Sequence, residues 1–156
     1  MKMDKSDISI LDALQNDGRL SNRDLAKQVS LSPSPSWRRL RALEEAGVIS
    51  HYAAVLDREQ VGLPIMGFAH VILHDHNSEN VKRFDRAIMG APQVLECHAT
   101  SGEHDYMLKV VAPDMASYQD FLSEYLLKIG VVRTVNTSFV LKQQKNTTVL
   151  PLDQIK

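Results

Sequence analysis

A short stretch near the start of the chain, residues 31–47, reads LSPSPSWRRLRALEEAG. Serine is a preferred helix cap, proline fits the first turn of a helix, and glycine commonly ends one. On a helical wheel of about 100° per residue centred on Leu40, Ser36 faces inward while Arg38 and Arg41 point outward. The spacing predicts an amphipathic helix that carries arginines on its outer face.

Two further helices are predicted upstream of this stretch. Asp4 is a capping residue for the first, which ends at the turn Asp17-Gly18. Ser21, with Asp24 three residues later, resembles a capping box that opens the second. Three helices with tight connections indicate a helix-turn-helix. Residues 51–55 then predict a short extended stretch that packs back as a wing.

The charge of the chain is unevenly distributed, although its net value is only −1. Residues 19–41 contain six basic residues against one acidic residue, a balance of +5, whereas residues 56–141 contain seven against eleven, a balance of −4. A concentrated basic segment is the electrostatic footprint of a nucleic-acid partner. Arginine can reach phosphates or bond guanine in the major groove, so double-stranded DNA is the predicted partner. The alternative is a solvated basic face on an ordinary helix.

Trp37 lies at the edge of the inward face of the third helix. We expect its large ring to pack into the core, and stacking on a base is the alternative. Ser36 is small and allows the helix to sit close to its neighbour. The predicted DNA-binding residues are Arg19, Asn22, Arg23, Ser32, Ser34, Arg38, Arg39 and Arg41.

From residue 65 the hydrophobic spacing changes from a helical period to a strand period. Strands are expected at about 66–73, 94–100, 106–111 and 133–141, with helices that open at Ser78 and at Pro113-Asp114. The order β-α-β-β-α-β is that of the ferredoxin-like motif. The predicted fold class is α+β, with a winged helix-turn-helix at residues 1–55, a linker at 56–64, a ferredoxin-like domain at 65–142, and a C-terminal tail at 143–156.

Composition excludes several classes of protein. With 44% hydrophobic and 24% charged residues, the chain has the composition of a soluble globular protein. No apolar run reaches the roughly 18–20 residues of a membrane span, and the first residues lack the apolar stretch of a signal peptide. A single cysteine cannot form an intramolecular disulfide, which is typical of a reducing compartment. We therefore expect a cytoplasmic protein that binds no membrane.

Catalytic and metal sites are not predicted. His74 and His76 lack the spacing of a helical metal-binding pair, so we expect solvent-exposed loop histidines. Cys97 lies inside an alternating strand, where it is expected to be packed rather than reactive. A metal-dependent enzyme is therefore only a third alternative, and no cofactor is expected apart from an effector.

The turn Ser101-Gly102-Glu103-His104-Asp105 joins two strands of the predicted sheet. Its backbone N–H groups suit the carboxylate of an amino acid, and Asp105 or Glu103 suits the ammonium. The alternative on the residues alone is a polar hairpin turn.

Several motifs together resemble those of the leucine-responsive regulatory protein family (Lrp/AsnC), the feast/famine transcriptional regulators. One half of the resemblance is carried by the motifs of the predicted helix-turn-helix: Leu11-Asp12-x-Leu14-Gln15-x-Asp17-Gly18-Arg19-x-Ser21, Leu31-Ser32-Pro33-Ser34-Pro35, Arg38-Arg39-Leu40 and Leu43-Glu44-x-x-Gly47-Val48-Ile49-x-x-Tyr52. The other half is carried by Ser101-Gly102-Glu103-His104-Asp105-Tyr106 with Pro113-Asp114-Met115. At Ser36 the chain departs from the cysteine that many members have, and we expect little effect on DNA binding because the residue faces inward.

The resemblance implies a transcriptional regulator with a DNA-binding half and an effector-binding half. It implies a homodimer formed through the sheet, often assembled to an octamer, with an amino acid bound between protomers. The implied effector-binding residues are Ser101, Gly102, Glu103 and Asp105 of the turn, with Thr134, Asn136 and Ser138 on the last strand of a neighbouring protomer. The alternative function is a stand-alone metabolite sensor that acts on a partner protein, which would not lose DNA affinity when Arg38 and Arg41 are neutralised.

Overall fold

The computed structural model describes residues 2–154, and the chain divides into two compact units. One unit is formed by the chain up to Val55 together with the segment that begins at Lys145, and the other by Leu56–Gln144. Among the described residues, no helix is both long and apolar enough to cross a membrane.

The described residues of the first unit form three α-helices, α1 Lys5–Asn16, α2 Asn22–Gln28 and α3 Pro33–Glu45, and a 3₁₀ turn at Leu152–Gln154. The caps explain where they begin. Asp4 and Asp7 exchange hydrogen bonds between side chain and backbone at 3.0 and 2.9 Å, which closes a capping box at the start of α1. Ser21 accepts the N–H of Asp24 at 3.2 Å and caps α2. The helix-turn-helix is therefore built largely as its sequence predicts.

The core of this unit is small and lies where the three helices meet. Its buried apolar side chains are Ile10, Ala13, Leu14, Leu25 and Leu43. Ser36 on α3 is fully buried, which confirms that it faces inward. Residues 51–55, where a packed wing strand was expected, form neither helix nor strand. Val55 and Leu56 are largely exposed, so the segment lacks the packing that orders a strand.

The C-terminal segment of the chain packs within the first unit. The Gln15 amide group forms two hydrogen bonds with the backbone of Leu150: its Nε2 donates to the carbonyl and its Oε1 accepts the N–H, each at 2.9 Å. Leu150 and Leu152 line a cavity of about 380 Å³ together with Leu11 and Ile49. The segment is thus held to α1 by hydrogen bonds from the Gln15 side chain to the Leu150 backbone, and its leucines line the same cavity as Leu11.

A short turn opens the second unit and leads into its sheet. The Arg58 guanidinium donates to the carbonyls of Leu63, at 3.2 Å, and Pro64. Within the segment predicted as a linker, residues 58–62 thus form a turn closed by this side chain.

The second unit has four strands and two main helices: β1 Ile65–Leu73, α4 Ser78–Met89, β2 Val94–Ala99, β3 Tyr106–Ala112, α5 Met115–Asp120 and β4 Val132–Phe139. The sheet order is β2-β3-β1-β4, and every neighbouring pair is antiparallel. This is the ferredoxin-like β-α-β-β-α-β fold, as predicted.

The two faces of the sheet differ in what covers them. Ala69, Val71 and Leu73 of β1 are buried in one core with side chains from both helices, such as Phe84 and Tyr118. The intervening side chains of β1 point to the opposite face because successive residues of a strand alternate. They are Phe68, His70 and Ile72, all partly exposed. We call this second surface the open face of the sheet.

In the segment after α5, the structure of this unit departs furthest from the sequence prediction. One regular helix was expected, but the helix widens to a π-helix at Phe121–Leu126 and tightens to a 3₁₀ turn at Leu127–Ile129. The wide turn places Phe121 and Leu126, five residues apart, on the buried side. Gly130, with φ of 78°, then ends the helix.

Candidate DNA-binding surface and effector turn

The outer surface of α3 carries Ser34, Arg38 and Arg41, and all three are exposed. The Arg41 guanidinium bonds Glu44 at 3.2 Å and lies 5.6 Å from the centre of the Trp37 ring. At this distance a guanidinium is attracted to the face of an indole. The surface therefore combines positive charge with one large aromatic ring.

The expectation that Trp37 packs into the core is wrong, since the residue is 52% exposed. The buried side of α3 is centred between Ser36 and Leu43, and Arg39 is drawn toward it. This rotates the inward direction away from Leu40 by roughly 50° relative to the wheel. Trp37 consequently belongs to the outer half of the helix.

Arg39 has a different position from the arginines beside it. Its guanidinium forms ion pairs with Asp4 at 2.8 Å and Asp7 at 2.7 Å. The hydrogen bond to Asp7, followed by that to Asp4, raises the pKa of Arg39. The pKa of Asp4 is lowered, chiefly by the N–H of Asp7 and further by Arg39. Arg39, predicted to contact DNA, therefore joins α3 to the start of α1 in this structure.

The remaining predicted DNA-binding residues lie around α2 and the start of α3. Arg19, Arg23 and Ser32 are exposed, and Ser32 occupies the cap position of α3 without a side-chain capping bond. The Asn22 side chain donates to the carbonyl of Pro33 at 3.0 Å and so joins α2 to α3.

A hydrogen bond that the sequence did not predict connects α3 with the segment after it. The Tyr52 hydroxyl donates to Glu44 Oε1 at 3.0 Å, while Glu44 Oε2 holds Arg41. Burial raises the pKa of Tyr52, and the bond to Glu44 raises it further. One carboxylate thus connects Tyr52 to the outer surface of the helix. The i, i+3 spacing of Arg41 and Glu44 could have predicted their ion pair. Nothing in the local sequence indicated that Tyr52 would bond the same carboxylate.

The turn at residues 101–105, which we call the effector turn after its predicted ligand, connects β2 and β3. Its residues Ser101, Gly102 and Glu103 are exposed. Thr100 closes the turn, because its N–H donates to the carbonyl of Asp105 at 2.9 Å and its hydroxyl to that of His104 at 2.7 Å. Gly102 has φ of 115°, and a Cβ placed on it would meet no atom within 4 Å. Glycine is therefore needed for the backbone conformation and leaves open space above the turn.

Asp105 is anchored where the turn enters β3. Its Oδ2 accepts the N–H of Leu73 at 2.8 Å, and its Oδ1 pairs with His76 Nε2 at 2.8 Å. Burial alone raises the pKa of this carboxyl, but the Leu73 N–H and His76 outweigh burial, so the pKa lies below its ordinary value. Sequence reasoning missed His76 as a partner because it follows β1, 29 residues earlier in the chain.

The polar residues of β4 that were predicted to bind the effector lie at one edge of the sheet. Thr134, Asn136 and Ser138 pair with Ile72, His70 and Phe68 and share the open face with them. Since β1 lies between β3 and β4, the effector turn and these three residues lie on opposite sides of β1 within one protomer. A contact between them across two protomers stays a prediction.

No group of three or more metal-binding side chains occurs in the part of the chain that the structure describes. His74 and His76 are exposed, as predicted. Cys97 is also exposed, which contradicts its expected packing. The reason is its position on β2, an edge strand that is exposed along most of its length. Partial burial, followed by nearby Asp85, raises the pKa of the thiol.

Comparison with known proteins assigns both halves of the chain. The family described as "Winged helix-turn-helix DNA-binding" matches residues 3–50, and "Lrp/AsnC ligand binding domain" matches residues 66–150. The Bkd operon transcriptional regulator of Pseudomonas aeruginosa is 42% identical over 151 residues, 97% of this chain and 99% of that one. The transcriptional regulator AzlB of Bacillus subtilis is 37% identical over 153 residues, 98% of each chain.

Among solved structures, a transcriptional regulator from Neisseria meningitidis in complex with L-methionine is similar over 97% of this chain and 98% of that one. Its TM-score is 0.94 at 41% sequence identity. An AsnC family transcriptional regulator from Agrobacterium tumefaciens has a TM-score of 0.92 at 42% identity, over the same shares of the two chains. A DNA-binding half and a ligand-binding half are thus combined here as in these regulators.

Proposed function

The chain belongs to the Lrp/AsnC family of transcriptional regulators, and from this premise we propose that the outer surface of α3 reads operator DNA under the control of an amino acid bound at the effector turn. The observation that carries the proposal is the exposed pair Arg38 and Arg41 on the second helix of a helix-turn-helix. In this motif that helix enters the major groove. Arginine there bonds guanine or phosphate.

The DNA-contacting set consists of residues on both helices of the motif. Ser34, Arg38 and Arg41 reach the groove, while Arg19, Arg23 and Ser32 contact phosphates at its edge. Asn22 and Arg39 act indirectly by positioning the recognition helix: Asn22 joins α2 to α3, and Arg39 joins α3 to the start of α1. Base contacts specify a sequence and phosphate contacts fix the register of the protein on it.

The effector is a free amino acid. Its carboxylate accepts backbone N–H groups of Ser101, Gly102 and Glu103, and its ammonium pairs with the Asp105 carboxylate. The ammonium takes the place of His76 at Oδ1, while the Leu73 N–H keeps Oδ2 in position. The solved relative from Neisseria meningitidis holds L-methionine, which supports this class of ligand.

Assembly completes the site. A homodimer forms through the open face of the sheet and associates further to an octamer, and Thr134, Asn136 and Ser138 of a neighbouring protomer close the pocket. The protein works in the cytoplasm and is a regulator rather than an enzyme, because its relatives are transcriptional regulators and the effector is bound without being transformed.

The test begins with a thermal-shift screen of the twenty amino acids, since a ligand that binds only the folded state raises Tm by mass action. The best ligand is then added to the protein during a titration of fluorescent duplex DNA. A change in DNA affinity supports the proposal, because a ligand that alters affinity must bind the two states differently. DNA affinity that no amino acid alters contradicts the effector assignment.

A further inference from the structure

Trp37 is the only tryptophan of the chain, and it is exposed on the outer half of α3. The core of the unit does not use its ring. The indole combines a large apolar ring with one N–H donor, so a partner that covers it gains apolar contact and a hydrogen bond. The position of Trp37 on the recognition helix is therefore not explained by folding.

The side chain beside Trp37 is held in place by its own contacts. Arg41 lies over the indole at 5.6 Å, and Glu44 holds it at 3.2 Å. Glu44 is held in turn by the Tyr52 hydroxyl at 3.0 Å, and Tyr52 packs 3.5 Å from where a Cβ on Gly18 would lie. The series Tyr52, Glu44, Arg41, Trp37 limits the rotamers of the two outermost side chains before any partner arrives.

Resting on the proposed DNA-binding function, we infer that Trp37 is a further DNA-contacting residue that acts as one unit with Arg41, and that Glu44 and Tyr52 position this unit. The ring packs against deoxyribose and thymine methyl groups at the wall of the groove, where apolar contacts discriminate between bases. Arg41, already oriented along the ring, reaches base edges or a phosphate from the same place. Less side-chain entropy is lost on binding because the pair is preorganised.

The charge around Trp37 selects DNA over a protein partner. Arg41 lies over the ring at 5.6 Å and Arg38 is the next residue of the helix, while the segment from Arg19 to Arg41 has a balance of +5. A second copy of this basic surface would repel the first, whereas a duplex presents regularly spaced phosphates beside apolar sugar and methyl groups. An aromatic ring with one guanidinium group over it, within a basic segment, matches that combination.

Intrinsic fluorescence tests the inference without any substitution, because Trp37 is the only indole. The probe is a duplex that the wild-type protein enriches from a pool with a randomised centre of roughly 20 base pairs, two helical turns. DNA binding is followed independently by the anisotropy of a label on the duplex. We expect acrylamide to quench Trp37 in the free protein and to lose most of its access in the DNA complex.

The possible outcomes distinguish a failure of the Trp37 inference from a failure of the proposed DNA-binding function. If labelled DNA binds while quenching by acrylamide stays unchanged, Trp37 does not contact DNA and the inference fails, although the proposed function stands. Failure to enrich or bind any duplex contradicts the proposed function itself. Shielding that appears without DNA when the protein concentration is raised, together with an increase in mass by light scattering, places the ring against another copy and overturns the inference.

Variants test the positioning of Arg41. We expect Trp37→Ala to weaken DNA binding at least about fivefold, and Trp37→Phe by less. Tyr52→Phe removes only a hydroxyl and should weaken binding about two- to tenfold while Tm is retained. The matched control is Tyr125→Phe, which removes the hydroxyl bonded to the Ala87 carbonyl in the other unit and should leave DNA affinity unchanged.

The decisive measurement is a double-mutant cycle between Tyr52→Phe and Arg41→Ala. If Tyr52 acts through Arg41, its hydroxyl has almost no effect on DNA affinity once Arg41 is absent, and the two losses are not additive. A structural role of Tyr52 would instead give the same loss in both backgrounds. Additive effects would therefore overturn the positioning part of the inference.

Discussion

Adjacent arginines on α3 have different surroundings, and the helix explains the difference. Arg38 and Arg39 are about 100° apart around the axis, so only one of them can point at α1. Arg39 takes that direction because Asp4 and Asp7 of the capping box lie there, while Arg38 stays exposed. Geometry thus gives the two residues different roles: Arg39 joins two helices, and Arg38 remains exposed for the proposed contact with DNA.

The first prediction concerns the two outward arginines. Arg38→Ala and Arg41→Ala should each weaken operator binding by about 1–3 kcal/mol where they read a base, and alter the preferred sequence at that position. A residue that contacts only phosphate should instead lower the salt dependence of binding, with a slope smaller by about one. Anisotropy titrations at several salt concentrations measure both quantities.

Arg86→Ala is the control for this prediction, because it removes an exposed arginine from α4 in the other unit. It should leave both DNA affinity and salt slope unchanged. Wild-type binding by both α3 variants would show that the recognition surface lies elsewhere, and would favour the stand-alone metabolite sensor.

Asp105→Asn tests the ammonium partner, and we expect it to weaken the best amino-acid ligand about tenfold or more, since a charge-assisted bond is lost. The amide keeps one oxygen that can accept the Leu73 N–H, so the turn should remain folded. Calorimetry measures the affinity. Asp120→Asn, an exposed position on α5, is the control and should bind the ligand as wild type does. Equal affinities for both variants would move the site away from this turn.

The pH dependence of ligand binding follows from the lowered pKa of Asp105. A carboxyl whose pKa is depressed by folding stabilises the folded state above its unfolded value of about 3.9, and this contribution is lost as pH falls through the folded value. The charge that holds the ammonium is therefore present throughout the neutral range. Loss of this charge should therefore weaken the ligand only in acid well below neutral pH, which calorimetry at a series of acidic pH values measures.

At the scale of elements, α3 contains a buried hydroxyl without a partner. Among the described residues, none forms a hydrogen bond with Ser36 Oγ, although the side chain is fully buried. Ser36→Ala should therefore raise the free energy of unfolding of the first unit by about 1 kcal/mol, because a buried unsatisfied group is removed. Urea denaturation followed by Trp37 fluorescence reports on this unit alone.

Ser34→Ala provides the comparison on the exposed side of the same helix, and its effect on stability should stay within about 0.5 kcal/mol. A loss of stability in Ser36→Ala would mean that the hydroxyl has a partner in solution, such as an ordered water.

The elements themselves were predictable because each has a local signal. Asp4 and Ser21 mark helix starts, and the change of period near residue 65 marks the beginning of the sheet. The wrong predictions concern residues whose exposure depends on contacts between elements that are distant in the sequence. The inward side of α3 is rotated toward Ser36 and Leu43, away from Leu40, and leaves Trp37 exposed. The position of β2 at the sheet edge exposes Cys97. Neither the rotation nor the edge is encoded in local spacing.

The structure of the candidate effector site was predictable only in part for the same reason. Gly102 and Asp105 are recognisable within the turn, but the bonds of Asp105 to Leu73 and His76 depend on β1 lying beside β3. The widened π turn after α5 likewise follows from the fit of Phe121 and Leu126 to the core. Sequence periodicity at 3.6 residues cannot distinguish it from a regular helix.

At the scale of the whole molecule, the open face of the sheet predicts a dimer. Phe68→Glu places a charge on this face, and we expect it to weaken dimerisation at least about tenfold, since a charge in an apolar contact is left unpaired. Light scattering at micromolar concentration should detect monomers for this variant and dimers or larger assemblies for the wild type. Leu127→Glu, which adds the same charge on the helical side, should keep the wild-type mass. A wild-type monomer would contradict the proposed assembly.

The hydrogen bonds between Gln15 and Leu150 also set the order in which the chain can mature during synthesis. The two residues are 135 positions apart, so at about 5–20 residues per second the ribosome makes the second about 7 to 27 seconds after the first. During that delay α1 has emerged while its C-terminal partner is still to be translated, and Leu11 and Ile49 are without the leucines that cover them. The DNA-reading unit, although encoded first, is completed last.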